Sequence, residues 1–210
     1  MTSQTTNHIF HFNGLSIEFH DFVYEPAEDT FQLLEAINVT PKETVLEIGT
    51  GCGIIALDFA RQGCNVICTD CNPYAVELTR RNIVQNRNLL KGRIDVRQGD
   101  LFSPVHYDER FSVIVFNPPY LPTRKKDRIG GDGWFDLATD GGPSGLSVTK
   151  RFIQELPIYL SLDGRAYFVF SSLANRDILH RYLKKIKAQA EVVLSRCFQD
   201  ELLDIYRITL

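Results

Sequence analysis

From Thr44 onward the sequence alternates short apolar runs with helix-length segments, and this alternation constrains the fold more than any other feature. Strands separated by helices pair in parallel, and a parallel sheet is covered by helices on both faces. The last two apolar runs follow each other closely, so we expect them to pair antiparallel. The sequence therefore predicts an α/β fold with a doubly wound, mostly parallel sheet. The predicted strands are residues 45–48, 65–69, 94–97, 111–116, 165–170, 191–196 and 203–208, and the predicted helices are residues 54–62, 73–85, 146–159 and 174–188.

The N-terminal part differs from this pattern. Two extended runs, residues 8–12 and 15–19, flank an Asn-Gly dipeptide that favours a tight hairpin turn. An amphipathic segment over residues 27–38 then predicts a helix. We expect residues 1–40 to be a hairpin and helix packed on the core, and residues 41–210 to form the main body of a single domain.

Composition excludes several classes of protein. The chain has 210 residues, 44% of them hydrophobic, and its 23 basic and 26 acidic side chains give a formal charge of −3. These values exclude a wholly disordered chain and do not favour a strongly basic nucleic-acid binder. There is neither a leader-like N-terminus nor an apolar run of about 18 residues, so we expect a cytoplasmic protein without a membrane segment.

The cysteines do not predict a disulfide framework or a metal site. Their number is five, and an odd count in an intracellular chain argues against paired disulfides. Cys64, Cys68 and Cys71 have the spacing of an iron–sulfur motif, but the motif begins just before a predicted buried strand, runs through it and ends past Asp70. Cluster cysteines need a loop that converges on iron, so we expect these to be small buried residues.

A glycine-rich turn follows the first strand of the alternating region. Glu47 is followed by Gly49, Gly51 and Gly53, and glycines at alternate positions allow a tight turn and close approach to a ligand. In a doubly wound sheet this turn lies at the carboxyl edge, where ligands bind. The pattern is neither the dinucleotide fingerprint nor a P-loop. The alternative is a strand-to-helix turn that binds nothing.

Three acidic residues come at the ends of successive predicted strands. Glu47, Asp70 and Asp100 would meet at one edge of the sheet, where Asp70 can accept both hydroxyls of a ribose. Asp100 could accept from an exocyclic adenine amine. Three carboxylates would repel a phosphate, whereas a cationic ligand that contains ribose and adenine fits. S-adenosylmethionine, with its sulfonium and ammonium groups, is such a ligand. The alternative for each acid, taken alone, is a solvated carboxylate on a loop.

The tetrapeptide Asn117-Pro118-Pro119-Tyr120 directly follows a predicted core strand. The prolines impose an extended turn, which can aim the Asn117 side-chain oxygen and the Pro118 carbonyl at one point. Two such acceptors would hold the hydrogens of a planar amine, on glutamine or a nucleobase, and stabilise positive charge as its nitrogen takes a methyl group. Tyr120 would form a flat wall beside it. The alternative is a proline loop after a core strand.

Together with residues 23–31, Val-Tyr-Glu-Pro-Ala-Glu-Asp-Thr-Phe, these motifs resemble class I S-adenosylmethionine-dependent methyltransferases that act on planar nitrogen. The resemblance is to the archaeal and eukaryotic branch of the HemK-type (PrmC-like) release-factor glutamine methyltransferases, and it covers residues 24–210. The bacterial branch has a large N-terminal helical domain. Only some 40 residues precede the first core strand here, which matches the other branch.

The resemblance implies a seven-stranded sheet and N5-methylation of the glutamine in the Gly-Gly-Gln motif of a class I peptide-release factor. It also implies roles for individual residues. Asn117, Pro118 and Tyr120 would be catalytic, and the acceptor pocket would comprise Asn117, Pro119, Tyr120 and Trp134. The positions expected to bind S-adenosylmethionine are Thr30, Glu47, Gly49, Gly51, Asp70, Asp100, Leu101 and Asn117.

The loop over residues 123–145 is rich in glycine and also contains Lys125, Lys126, Arg128 and Trp134. Loops of this length often shape access to a site. We expect a substrate lid, with Trp134 as an anchor. The alternative is a flexible surface excursion.

Relatives in the resembled branch often bind a small zinc-containing, Trm112-like activator along an edge strand. In this sequence that strand would begin at Ile94 and end at Arg97. The acceptor is not fixed by the fold, so a nucleic-acid adenine-N6 or guanine-N2 methyltransferase and a protein-lysine methyltransferase remain alternatives. The net charge counts against a nucleic-acid acceptor. A non-catalytic cofactor-binding protein is the third hypothesis.

Overall fold

A computed structural model describes residues 9–123 and 133–210 of the chain. A two-stranded hairpin precedes a sheet of seven strands. In chain order the elements are β1 (Ile9–Phe12), β2 (Leu15–Glu18), α1 (Glu28–Ala36), β3 (Thr44–Ile48), α2 (Ile54–Gln62), β4 (Asn65–Asp70), α3 (Pro73–Asn86), β5 (Ile94–Gln98), β6 (Phe111–Phe116), α4 (Trp134–Thr139), α5 (Ser147–Tyr159), β7 (Leu160–Ser171), α6 (Arg176–Lys185), β8 (Gln189–Phe198) and β9 (Glu201–Thr209).

The strand order is β5-β4-β3-β6-β7-β9-β8, which confirms the predicted doubly wound, mostly parallel seven-stranded sheet. Pairing is parallel from β5 to β7 and antiparallel for β7–β9 and β9–β8. The short last connection predicted the antiparallel β9–β8 pair, whereas the antiparallel β7–β9 pair was not predicted. Successive strands are added outward from β3 to β5 on one side and, from β6 onward, on the other side, so the strand order reverses between the parallel strands β3 and β6. The carboxyl ends of these two strands therefore flank the crevice in which such sheets bind ligands.

Two apolar layers cover the sheet. Alternate strand residues such as Val45 and Val113 pack with α1, α2 and α3 on one face. Their sequence neighbours Leu46 and Ile114 pack with α5 and α6 on the other. This alternation is the two-residue period of a strand, and both faces are buried because parallel crossovers place helices on both sides.

The hairpin is attached to the core by side-chain amides of α3. Asn86 accepts from the Ser16 amide at 2.8 Å and donates to the Ser16 carbonyl at 2.8 Å. Asn82 makes the same pair of bonds with Glu18, at 2.9 and 3.2 Å. These amides replace the neighbouring strand that the edge of a two-stranded hairpin lacks.

Helix α4 lies within residues 121–145, which the glycine and proline content predicted to be a loop throughout. The helix spans six residues and begins after Gly133, whose φ is +81°. Its last residue, Thr139, accepts from the Leu121 amide at 3.1 Å. The prediction was wrong here because one short helical turn is too brief to give a hydrophobic period.

Strand β7 begins five residues earlier than the predicted residue 165. Leu160 pairs with Phe111, and the register then shifts before Arg165 pairs with Val113. The intervening Gly164 and its polar neighbours favour a turn in the sequence, whereas in the structure they form this irregularity in a continuous strand. Other predicted ends differ by one to a few residues, the largest differences being in α6 and β8.

The cysteines lie partly as expected. Cys64 and Cys68 are buried in the core, but Cys71 is exposed after β4, so the prediction that all three are buried was wrong for Cys71. Among residues 9–123 and 133–210, no group of three or more His, Cys, Asp or Glu is placed to hold a metal ion. In the same part of the chain, no helix combines the length and apolar character required to cross a membrane.

Candidate active site

A cavity of about 630 Å³ opens at the carboxyl ends of β3, β4 and β6. The residues that the sequence singled out come from separate segments, yet they all line this one cavity. They are Thr30, Glu47, Gly49, Gly51, Asp70, Asp100, Leu101, Asn117, Pro118, Pro119, Tyr120 and Trp134. The volume is of the size that binds a small organic ligand.

The glycine turn after β3 needs glycine for two different reasons. Gly49, Gly51 and Gly53 have φ values of +69°, +57° and +84°, in the left-handed region that side chains disfavour. A Cβ on Gly53 would also lie 2.7 Å from Cγ2 of Thr79. On Gly51 a Cβ would meet nothing closer than 3.8 Å, because this residue faces the cavity.

Glu47 lies at the end of β3 under this turn and is 2% exposed. The Thr50 hydroxyl donates to its Oε2 at 2.8 Å, and the Ala56 amide donates to the same oxygen at 3.2 Å. Burial raises the pKa of Glu47 to about 8, and the negative charge of Asp70 adds to the effect. A cation bound in the cavity would favour the ionised form and lower this pKa.

Asp70 ends β4 and accepts two backbone hydrogen bonds. The Gly51 amide donates to Oδ2 and the Asn72 amide donates to Oδ1, each at 2.9 Å. Burial raises the pKa of Asp70, although these amides oppose the shift. Each carboxylate oxygen keeps a further lone pair, so the side chain can still accept from two adjacent hydroxyl groups.

Asp100 lies at the rim of the cavity and is not free. Arg151 of α5 donates from Nη2 to Oδ2 at 2.7 Å and from Nη1 to Oδ1 at 3.4 Å. Arg151 was not predicted from the sequence, because it lies on α5, 51 residues away from Asp100. Both side chains are about half exposed, at 55% and 51%, so the ion pair is weak and a ligand can compete for the carboxylate.

Asn117 follows β6 and turns its side chain toward α1. Its Nδ2 donates to the Thr30 hydroxyl oxygen at 3.4 Å. Its Oδ1 is buried and has no hydrogen-bond partner among the described residues. A buried carbonyl oxygen without a donor is unfavourable by itself, and such an atom beside a cavity suits a ligand that brings an N–H.

A hydrogen-bonded cluster around Asp29 adjoins Asn117, and the sequence analysis missed it. The hydroxyls of Tyr24 and Tyr120 donate to Asp29 Oδ2 at 3.3 and 3.1 Å. The amide and hydroxyl of Thr30 donate to Oδ1 at 2.6 and 3.2 Å. Tyr120 is therefore tied by its hydroxyl as well as forming part of the cavity wall. Asp29 lies beside Thr30 in the sequence, but an acid in the first turn of a helix is usually attributed to the helix dipole.

Trp134 lies at the start of α4 and lines the cavity mouth. Its ring meets that of Tyr74 edge to face with 6.4 Å between centroids, and Tyr74 stacks on His20 at 5.1 Å. Leu137 from the same helix also lines the cavity, although it was not predicted. The other loop residues proposed for the lid, Lys125, Lys126 and Arg128, lie outside the described residues.

The sheet order, the glycine turn after β3 and the acids at the end of β4 and after β5 are those of class I methyltransferases. The family described as "Methyltransferase small domain" matches residues 28–130. The structure of an E. cuniculi Mtq2–Trm112 complex, described as responsible for methylation of the translation termination factor eRF1, superposes with a TM-score of 0.66. It is 24% identical and covers 90% of this chain and 98% of its own, which shows the fold.

Two curated relatives are similar over most of their length. A putative protein N5-glutamine methyltransferase of Methanocaldococcus jannaschii is 37% identical over 185 residues, which are 88% of this chain and 90% of that one. The eRF1 methyltransferase catalytic subunit mtq2 of Schizosaccharomyces pombe is 30% identical over 213 residues, covering 91% and 90%. The chain belongs to the HemK-type methyltransferases, in their archaeal and eukaryotic branch, and the resemblance seen in the sequence is confirmed.

Proposed function

We propose that this protein transfers the methyl group of S-adenosylmethionine to the N5 amide nitrogen of a glutamine, in the Gly-Gly-Gln motif of a class I peptide-release factor. The observation that carries the proposal is the buried, unpartnered Oδ1 of Asn117 beside the cavity. The names of the two curated relatives support the same acceptor. Because the proposed substrate works on ribosomes, the proposal includes a cytoplasmic location.

The cavity fits the cofactor by the chemistry of its donor set. The glycine turn leaves open space, the Glu47 carboxyl would face a cationic group, and the Asp70 oxygens would accept ribose hydroxyls. Asp100 and Leu101 would border the adenine. When bound, the cofactor supplies an electrophilic methyl group on a sulfonium.

Asn117 and Pro118 would hold the acceptor amide. The Asn117 Oδ1 and the Pro118 carbonyl accept the two amide hydrogens, so the nitrogen faces the methyl group. The nitrogen would take the methyl group that the cofactor supplies, and one amide proton would leave to water. Positive charge develops on the nitrogen during transfer. Oriented hydrogen-bond acceptors stabilise this charge and raise the rate about a hundredfold to a thousandfold.

Mass spectrometry of the cognate release factor tests this function. After incubation with the protein and S-adenosylmethionine, we expect the peptide that contains Gly-Gly-Gln to gain one methyl group on the glutamine. A release factor with glutamic acid in place of that glutamine is the matched control and should gain none. An unmethylated wild-type peptide would contradict the proposal. Methyl transfer to RNA, DNA or lysine instead would favour one of the other acceptors.

We also propose a Trm112-like partner on β5. The support is that β5 is the outer strand of the sheet, with one edge unpaired in the described part of the chain. The solved E. cuniculi complex contains such a partner. Arg97 is held by Asp95 and Glu109, at 2.8 and 2.6 Å, which fixes the end of this strand. Co-expression with a zinc-binding Trm112-like protein should give one peak in size-exclusion chromatography; separate peaks would contradict the proposal.

A further inference from the structure

The Asn117 side-chain amide can lie in two orientations of nearly the same shape. Only one presents Oδ1 to the acceptor; the other presents an NH₂ group to the NH₂ group of the substrate, where neither accepts. The activity proposed above requires the first orientation. Which one is populated depends on the hydrogen-bond partners of the amide, because its two ends differ little in size.

The Thr30 hydroxyl is the partner that decides between them. It has one proton and lies 3.2 Å from Asp29 Oδ1 and 3.4 Å from Asn117 Nδ2. The hydroxyl donates to Asp29 Oδ1, so its one proton points to Asp29. The hydroxyl oxygen can then only accept from Asn117, which must turn its Nδ2 toward Thr30 and leave Oδ1 without a partner among the described residues, available to the substrate amide.

Asp29 is held as a fixed acceptor by four donors. They are the Thr30 amide at 2.6 Å, the Thr30 hydroxyl and the hydroxyls of Tyr24 and Tyr120. Asp29 is 2% exposed, so these bonds replace the water that an ionised carboxylate would otherwise need. Burial and the charge of Asp29 raise the pKa of both tyrosines, which keeps their hydroxyls protonated as donors.

We propose that Asp29, acting through the Thr30 hydroxyl, is a positioning residue that sets the orientation of the Asn117 amide. The inference rests on the proposed function and explains why the Asn117 amide has the orientation that this function requires. The cluster spans the chain from α1 to the turn after β6, and Thr30 and Asn117 are 87 positions apart in the sequence. Helix α1 thus contributes to the acceptor side of the cavity as well as to the core.

Removal of the Thr30 hydroxyl tests the inference. Thr30→Val keeps the shape of the side chain but cannot accept from Asn117. We expect kcat with the release factor to fall about tenfold, the effect of losing one orienting hydrogen bond, while KM for the release factor changes less than twofold. The Kd for S-adenosylmethionine, which Thr30 is also expected to contact, should rise less than kcat falls. Thr30→Ser restores the hydroxyl and should restore kcat. Thr30→Ala lacks the same hydroxyl and replaces Thr30→Val if that variant does not fold.

Ser195→Ala is the matched control. It removes a hydroxyl that donates to Asp204 at 2.5 Å in the β8–β9 hairpin, away from the cavity, and should leave kcat unchanged. An unchanged kcat in Thr30→Val would overturn the inference. A loss confined to the Kd would also overturn it, because Thr30 would then act on the cofactor directly.

The side-chain amide resonance of Asn117 gives a readout that does not need activity. It can be assigned by its disappearance in Asn117→Asp. We expect Thr30→Val to shift it and Ser195→Ala to leave it in place. If the wild-type protein does not methylate the release factor, the proposed function fails, but this resonance still tests the orientation. An unshifted resonance in Thr30→Val would overturn the inference even if the release factor is methylated.

Discussion

The two sides of the cavity are built in different ways. The side under the glycine turn is formed by backbone at the ends of neighbouring strands, with Asp70 accepting from amides of Gly51 and Asn72. The opposite side is formed by side chains that bond one another, from Asp29 and Thr30 on α1 to Asn117 after β6. Backbone positions are set by the sheet, whereas a side-chain cluster depends on each of its members. We therefore expect substitutions on the second side to alter catalysis and those on the first to alter folding or binding.

The largest effect should come from Asn117→Ala, which removes the side-chain oxygen that would accept a hydrogen bond from the substrate amide. Loss of one oriented group that stabilises developing charge lowers kcat about a hundredfold to a thousandfold. The Kd for S-adenosylmethionine should change only a few-fold, because the glycine turn and the acids are untouched. Single-turnover methyl transfer and calorimetry measure the two quantities. If the Kd rose as much as kcat fell, the two sides would not be separable.

Gly53→Ala tests the backbone side. A Cβ there meets Thr79 Cγ2 at 2.7 Å and Oγ1 at 3.0 Å, and the φ of +84° disfavours alanine as well. We expect the free energy of unfolding to fall by about 2–4 kcal/mol, as strain and displacement of Thr79 add. Gly14→Ala is the control: its φ is +83°, but nothing lies within 4 Å, so strain alone should cost about 1–2 kcal/mol. Equal losses in urea denaturation would contradict the packing argument.

The same contrast explains how far the sequence could predict this molecule. The sheet, the glycine turn and the acids at strand ends follow from periodicity and from residues that lie close together in the chain. Asp29 joins Tyr120 across 91 residues, and Arg151 reaches Asp100 across 51, so neither contact leaves a local pattern. The family resemblance identified which residues gather at the cavity, but not which of them bond one another.

Glu47, on the cofactor side of the cavity, should make the free energy of unfolding depend on pH. Burial raises its pKa in the folded chain to about 8 from an ordinary value of 4.5. The folded state therefore keeps a proton that the unfolded chain has lost, and stability falls as the pH rises between these values. We expect the wild type, without cofactor, to lose free energy of unfolding relative to Glu47→Gln from about pH 4.5 to about pH 8. Urea denaturation across that range measures the difference.

Glu43→Gln is the control for this pH dependence. Although burial opposes it, hydrogen bonds from Arg165 and Thr40 lower the pKa of Glu43. Its stabilising contribution is therefore present above its unfolded pKa and is lost as the pH falls through the folded value. The Glu43→Gln difference should be flat where the Glu47→Gln difference slopes. If the free energies of unfolding of the wild type and Glu47→Gln changed in parallel with pH, Glu47 would titrate alike in the folded and unfolded chain, which would contradict the prediction.

The smallest effect should come from Arg151→Ala, which tests whether Asp100 belongs to the cofactor side. The pair is half exposed on both partners, so its loss should change the free energy of unfolding by less than about 1 kcal/mol. Asp100 would then be free to accept from a ligand amine without competition. We expect the affinity for S-adenosylmethionine to stay the same or rise by at most about fivefold, the equivalent of the same 1 kcal/mol. A tenfold weaker affinity in calorimetry would instead mean that Arg151 itself contacts the ligand. This rim of the cavity would then, like the Asn117 side, depend on a side chain from an element distant in the sequence.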